Sequence, residues 1–145
     1  MLSDGDQIRN LLGTYCERID LADYEGVGAL FGDDGALAAD DGTVLARGSA
    51  AIAAFYAGTV KLHDGAQRTK HVVANTVLDV SAEGSITARS SFVVLQATTE
   101  LPLQPIMAGR YVDQFQRGEG GAWRWVERRF LPDLVGHLGQ HLGRL

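Results

Sequence analysis

Four consecutive stretches decide the fold: RTKHVVANTVLDV (68–80), SITARSSFVVLQAT (85–98), IMAGRYVDQFQR (106–117) and AWRWVERRFL (122–131). Each is rich in Val, Ile, Thr and aromatic residues, which suit a pleated and half-buried surface. They are separated by Glu83-Gly84, by Pro102-Leu103-Gln104-Pro105 and by Gly118-Glu119-Gly120-Gly121, each able to reverse the chain. Long strands joined by short turns pair antiparallel, because a parallel pair needs a long crossover.

Upstream the periodicity is helical. Ser3 and Asp6 have capping-box spacing, so a helix is expected from about Asp4, with Ile8, Leu11, Leu12, Tyr15 and Ile19 forming its apolar stripe. Asp23 is placed to cap a second helix, Tyr24 to Phe31, ending at Gly32. Ala36–Ala39 and Val44–Arg47 read as a hairpin around Asp41-Gly42. Ser49 then caps a third helix carrying Ile52, Phe55 and Tyr56. Pro132-Asp133 is expected to end the last strand, leaving Asp133–Leu145 as a short helix or an extended arm. Helices followed by an antiparallel meander make an α+β fold, and apolar space that the helices leave on a curled sheet becomes a pocket. No repeat or linker interrupts the chain, so residues 1–145 are expected to form one domain.

Composition narrows the function classes. The 145 residues are 46% hydrophobic and 21% charged, with a formal net charge of -5. A phosphate-binding protein needs a concentrated basic surface. The nearest cluster, Arg124, Arg128 and Arg129, divides between two strand faces, with Arg124 and Arg128 together, and reads as surface arginines. No nucleic-acid partner is expected. The N-terminus lacks a signal-peptide pattern and no stretch reaches the roughly 20 apolar residues of a membrane span, so a cytoplasmic protein is expected. The lone Cys16 lies beside the helical stripe as a small buried filler. His137 and His141 stand four apart without carboxylates at helical spacing beside both, so no metal is expected. No glycine-rich phosphate loop or nucleophile elbow is present, and no cofactor is expected.

The element order resembles the nuclear-transport-factor-like superfamily, the cystatin-like α+β roll, and within it the SnoaL-like proteins. The stretches that carry the likeness are Ile8-Arg9-Asn10-Leu11-Leu12 through Tyr15, Ile19-Asp20-Leu21-Ala22-Asp23, and Leu30-Phe31-Gly32-Asp33-Asp34-Gly35. Further along they are Lys70-His71-Val72-Val73-Ala74-Asn75, Gly109-Arg110-Tyr111-Val112-Asp113 and the run Trp123 to Phe130. The resemblance implies a cone-shaped roll, three N-terminal helices on a strongly curved and mostly antiparallel sheet with an enclosed pocket. The superfamily holds scytalone dehydratase-like and bile-acid dehydratase-like enzymes, ketosteroid isomerases, polyketide cyclases and small subunits of ring-hydroxylating oxygenases. In its dehydratase-like members an aspartate late in the first helix works with a histidine on the first long strand. The matching positions are Asp20 and His71.

Imidazole titrates nearest neutrality, so His71 suits proton transfer, and a carboxylate beside it would fix its tautomer. The bland alternative is a strand histidine bonded at the sheet edge. Strand alternation puts His71, Val73, Asn75 and Val77 on one face, mixed as a pocket wall is, and Val72, Ala74, Thr76, Leu78 and Val80 on the other. At about 100° per residue Asp20 lies roughly 120° from Ile8 and Asp23 roughly 60°. Either carboxylate fits an inward position. The resemblance favours Asp20.

Tyr15 could offer a phenol to a substrate oxygen, as an oxyanion-hole tyrosine does; Tyr24 and Tyr56 are candidates of the same kind, and Asn75 could orient a substrate oxygen. Arg110 needs an anionic partner if it points inward and none if it points outward. The expected activity is a cofactor-independent dehydratase or isomerase on a small apolar cyclic carbonyl or hydroxyl compound. The alternatives are a non-catalytic subunit resembling the small subunit of a ring-hydroxylating oxygenase, and a small-molecule-binding protein. The resemblance also implies a homodimer, or a trimer, assembled through the sheet, and the apolar Val72–Val80 face read from strand alternation suits that.

Overall fold

A computed structural model describes residues 1–143. Ser3 Oγ accepts the Asp6 amide at 3.1 Å and opens α1 (Asp4–Asp20); such a cap is worth about 1 kcal/mol. Ile8, Leu12, Tyr15, Cys16 and Ile19 form its buried side. Asp23 caps α2 through the Gly26 amide, but α2 spans only Tyr24–Gly28. Phe31, expected at its end, instead begins β1 (Phe31–Ala38) and stacks on Trp125. β2 is Val44–Arg47. The third helix, α3 (Ser49–Thr59), is preceded by Gly48, whose φ of 91° only glycine adopts without strain. Ser49 is therefore not the cap. Its hydroxyl donates to the Gly28 carbonyl at 2.6 Å and pins α3 to α2.

The four long strands are β3 (Thr69–Val80), β4 (Ile86–Gln96), β5 (Gln104–Arg117) and β6 (Trp123–Val135). The last runs past Pro132, which faces Gly109 at a register shift that absorbs the missing amide. The order β2-β1-β6-β5-β4-β3 makes one curved sheet, antiparallel except for the β1–β6 pair. This is the α+β roll expected from the sequence. Residues 136–143 continue as an arm rather than a regular helix, and the final two residues of that tail lie outside the described residues.

Two bulges decide which side chains enter the roll. Between Ala74 and Val77 two residues of β3 oppose Ser90 alone, and Asn75 sits at φ 54°, in the left-handed region that Asn tolerates better than most residues. The alternation expected for β3 therefore changes phase. His71 and Val73 turn inward before the bulge and Thr76 and Leu78 after it, while Asn75 and Val77 face solvent. On β6 a shift between the partners Gln114 and Phe115 leaves Val126 unopposed. Trp123 and Trp125 point inward before it and Arg128 after it. Arg124 and Arg128 therefore do not share a face, and Arg128 is not a surface arginine. The buried side chains fall into two clusters, one around Trp125, Phe115 and α1, the other around Phe92, Ile106 and Tyr111.

Candidate active site

Between those clusters lies a cavity of about 320 Å³, large enough for a small ring compound. Tyr15 and Ile19 from α1, Phe55 and Tyr56 from α3, and Phe92, Val94, Met107 and Tyr111 from the sheet make it largely apolar. His71, Gln67 and His141 supply polar groups on its wall.

Asp20, the final residue of α1, meets His71 of β3 there. The His71 Nδ1–H donates to Asp20 Oδ1 at 2.6 Å, and the His71 amide donates to Oδ2 at 2.9 Å. The Thr69 hydroxyl donates to Oδ1 at 2.9 Å. Burial pushes the Asp20 carboxyl up, but the His71 and Thr69 hydrogen bonds outweigh it and hold Asp20 below its ordinary value. An ionised Asp20 selects the Nδ1–H tautomer of neutral His71, which leaves the Nε2 lone pair free as a proton acceptor. The side chains of His71 and Asp20 are only 9% and 16% exposed.

The pair is buttressed from behind. Tyr24 Oη donates to Gln67 Oε1, and Gln67 Nε2 donates to Thr69 Oγ1, both at 2.8 Å. Tyr24, Gln67, Thr69, Asp20 and His71 thus form one continuous hydrogen-bonded chain. Tyr24 stacks on Tyr56 and serves this chain rather than the cavity wall.

Tyr15 and Tyr56 line the cavity, and their hydroxyls hydrogen-bond to each other. Burial pushes both phenols up, in Tyr15 against the opposing charge of Arg128. Both remain protonated at neutral pH; one hydroxyl donates to the other, which keeps its own proton free. Beneath them the Arg128 guanidinium lies 4.2 Å from the Tyr15 ring centre and 3.6 Å from that of Tyr111. Its Nε and Nη2 donate to the two Asp113 oxygens at 2.8 and 3.0 Å, and both side chains are wholly buried. This ion pair fixes the floor under Tyr15.

The other expected site residues stand elsewhere. Asn75 faces solvent because of the β3 bulge. Arg110 points outward and grips Asp133 through two hydrogen bonds. Asp23 is exposed as the α2 cap, which settles the inward carboxylate as Asp20. Cys16 is free and buried, and burial lifts its thiol to about 11. No cluster of three His, Cys, Asp or Glu side chains able to hold a metal ion occurs among the described residues. No helix among them is long and apolar enough to cross a membrane.

Five contributing side chains escaped the sequence reading. Thr69 and Gln67 had a signal, since they precede His71 by two and four positions and alternate with it. The Asp113–Arg128 pair had a weaker one: opposite charges on adjacent strands at similar distances from their shared turn. His141 had none. It lies in a glycine-rich tail without periodicity.

A curved α+β sheet around an apolar cavity, with a His–Asp pair on its wall, defines a pocketed roll of the cystatin-like class. The chain belongs to the SnoaL-like domain family, whose model matches residues 1–129. A variant form of Rv3472, a protein of unknown function from Mycobacterium tuberculosis, is 29% identical with a TM-score of 0.72, covering 89% of this chain and 71% of that one. A candidate scytalone dehydratase from Novosphingobium aromaticivorans is similar at 20% identity and a TM-score of 0.71, with 90% and 85% covered. The β subunit of a candidate aromatic-ring-hydroxylating dioxygenase from the same organism is similar at 22% identity and 0.69, with 90% and 89% covered. The last two likenesses concern the fold alone. No curated protein matches the sequence.

Proposed function

We propose that this protein is a cofactor-independent dehydratase or isomerase of a small, apolar, cyclic carbonyl or hydroxyl compound. The observation that carries the reading is the 2.6 Å contact between Asp20 and His71 on the wall of the apolar cavity. His71 Nε2 takes the proton from a carbon next to a carbonyl, and the C–H electron pair moves toward the carbonyl oxygen. Asp20 holds the ring and balances the imidazolium charge. The one phenolic proton that the Tyr15–Tyr56 hydrogen bond leaves free donates to the oxygen that gains charge. The His71 proton then leaves with a β-hydroxyl as water, which is dehydration, or returns at another carbon, which is isomerisation.

The test is turnover of cyclic hydroxyketones that bind in the cavity, by wild type and by the His71→Ala and Asp20→Asn variants. The reading expects His71→Ala to abolish turnover and Asp20→Asn to cut it by about 10²–10⁴. Undiminished turnover in both variants refutes it.

A second reading, a non-catalytic subunit, draws on the outer sheet face. Val72 and Val77 are 45% and 46% exposed there, whereas the bulge turns Thr76, Leu78 and Val80 of the expected Val72–Val80 face to the other side, Val80 pairing with buried Ile86; exposed apolar patches suit association. Assembly through this face as a homodimer, or a trimer, is part of both readings. Only the subunit reading expects a larger chain to co-purify.

A further inference from the structure

The family match ends at residue 129, yet the arm beyond β6 returns to the cavity and places His141 and Leu142 on its wall. It is pinned on both sides. The Lys61 amide donates to the His141 carbonyl and the Gly143 amide to the Thr59 carbonyl, each at 2.8 Å. The Gln140 carbonyl accepts from His63 Nε2 at 2.7 Å and from the buried Gln96 Nε2 at 3.1 Å. Those bonds fix the backbone around a side chain that is only 8% exposed. The His141 ring centre lies 6.3 Å from that of His71, and its Nδ1 has no hydrogen-bond partner in the protein. Nδ1 is also closed to water, and a buried polar atom without a partner costs about 1–3 kcal/mol, so the ring nitrogen left to meet a ligand on the cavity wall is Nε2.

We propose that the C-terminal arm completes the binding site, with His141 and His71 together holding one oxygen of a neutral, hydroxylated ring compound. This deepens the function proposed above and rests on it. Two N···O contacts of about 2.8 Å each, meeting at a bent angle, fit between rings spaced as these are. A neutral imidazole offers one donor and one acceptor, and a hydroxyl complements both. Among the described residues no lysine or arginine lines the cavity, and Asp40 does, which disfavours a carboxylate ligand. The selected class is therefore an uncharged alcohol or phenol, not an acid.

Calorimetric titration with 2-naphthol, naphthalene and 2-naphthoate tests this on wild type, His141→Phe, His141→Gln and His71→Ala. Wild type is expected to bind 2-naphthol about 10-fold more tightly than naphthalene, the worth of one or two net hydrogen bonds, and 2-naphthoate more weakly than either. His141→Phe should erase the preference for 2-naphthol while retaining naphthalene, and His141→Gln should restore part of it. If His141→Phe loses naphthalene equally, or retains the preference, the inference is overturned. Should His141→Phe fail to fold, an unchanged preference in His141→Gln together with unmoved His141 ring ¹⁵N resonances on adding 2-naphthol overturns it as well. Loss confined to His71→Ala removes His141 and leaves the Asp20–His71 reading standing. Loss confined to His141→Phe upholds His141 as a ligand group and counts against that reading.

Discussion

Asp20 and His71, 51 positions apart in the chain, meet through both the ring and the backbone amide of the histidine. The end of α1 is thereby locked to the first residues of β3, so the contact positions a side chain and joins two layers of the fold.

That double grip fixes the tautomer. In wild type the His71 ring should carry its proton on Nδ1, seen as a distinct ¹⁵N pattern for the two ring nitrogens. Asp20→Asn should shift the population toward the Nε2–H form, because a neutral amide no longer selects a donor at Nδ1. An unchanged pattern in the variant would show that Asp20 does not set the tautomer.

The buried Asp113–Arg128 pair makes a sharp contrast with the exposed Arg110–Asp133 pair. Removing one member of a wholly buried pair strands a charge, and Asp113→Ala should cost about 3–5 kcal/mol in chemical denaturation. Arg110→Ala should leave the denaturation midpoint where it is, since exposed pairs contribute little. Similar midpoints for the two variants would contradict the burial assigned to Arg128.

Asn75 has a backbone role. At φ 54° a glycine is at ease and a β-branched residue is strained, so Asn75→Val should destabilise by about 1–3 kcal/mol and Asn75→Gly should be mild. Neither should alter ligand binding. If Asn75→Gly folds normally but loses binding, Asn75 belongs to the site after all.

His141 predicts an acid-side weakness. Burial, then the charges of His71 and His63, lower it from 6.5 to about 4 against the pull of Asp20. The folded state therefore binds fewer protons than the unfolded state between those values, so stability falls as pH drops from 6.5 toward 4. The loss should be on the order of 2–3 kcal/mol. Asp20, held below 3.8, withdraws its contribution only at lower pH, outside this window. His141→Phe should flatten the slope between pH 6.5 and 4, and an unchanged slope would place that titration elsewhere.

The roll was legible because long β-type runs and one amphipathic helix carry strong periodicities, and the Ser3 cap and Asp41-Gly42 turn marked boundaries. Asp20 and His71 were found through family resemblance, since the angular position of Asp20 on α1 left Asp23 equally eligible. What stayed hidden depended on bulges. Strand alternation assumes an unbroken ladder, and one extra residue at Asn75 or Val126 reverses every side chain beyond it. That reversal put Asn75 in solvent and Arg128 in the core. His141 was hidden for another reason: hydrogen bonds to Lys61, His63 and Gln96 hold its segment in place, and such distant partners leave no local pattern.

The central claim is that His71, oriented by Asp20, moves a proton at carbon inside the cavity. Its most direct test is NMR detection of deuterium uptake next to the carbonyl of cyclic ketones bound by the protein in D₂O. The account predicts exchange well above the buffer rate in wild type, none above it in His71→Ala, and a rate reduced by about 10²–10⁴ in Asp20→Asn. Exchange no faster than buffer for every ketone that binds, or equal exchange in all three proteins, would contradict it.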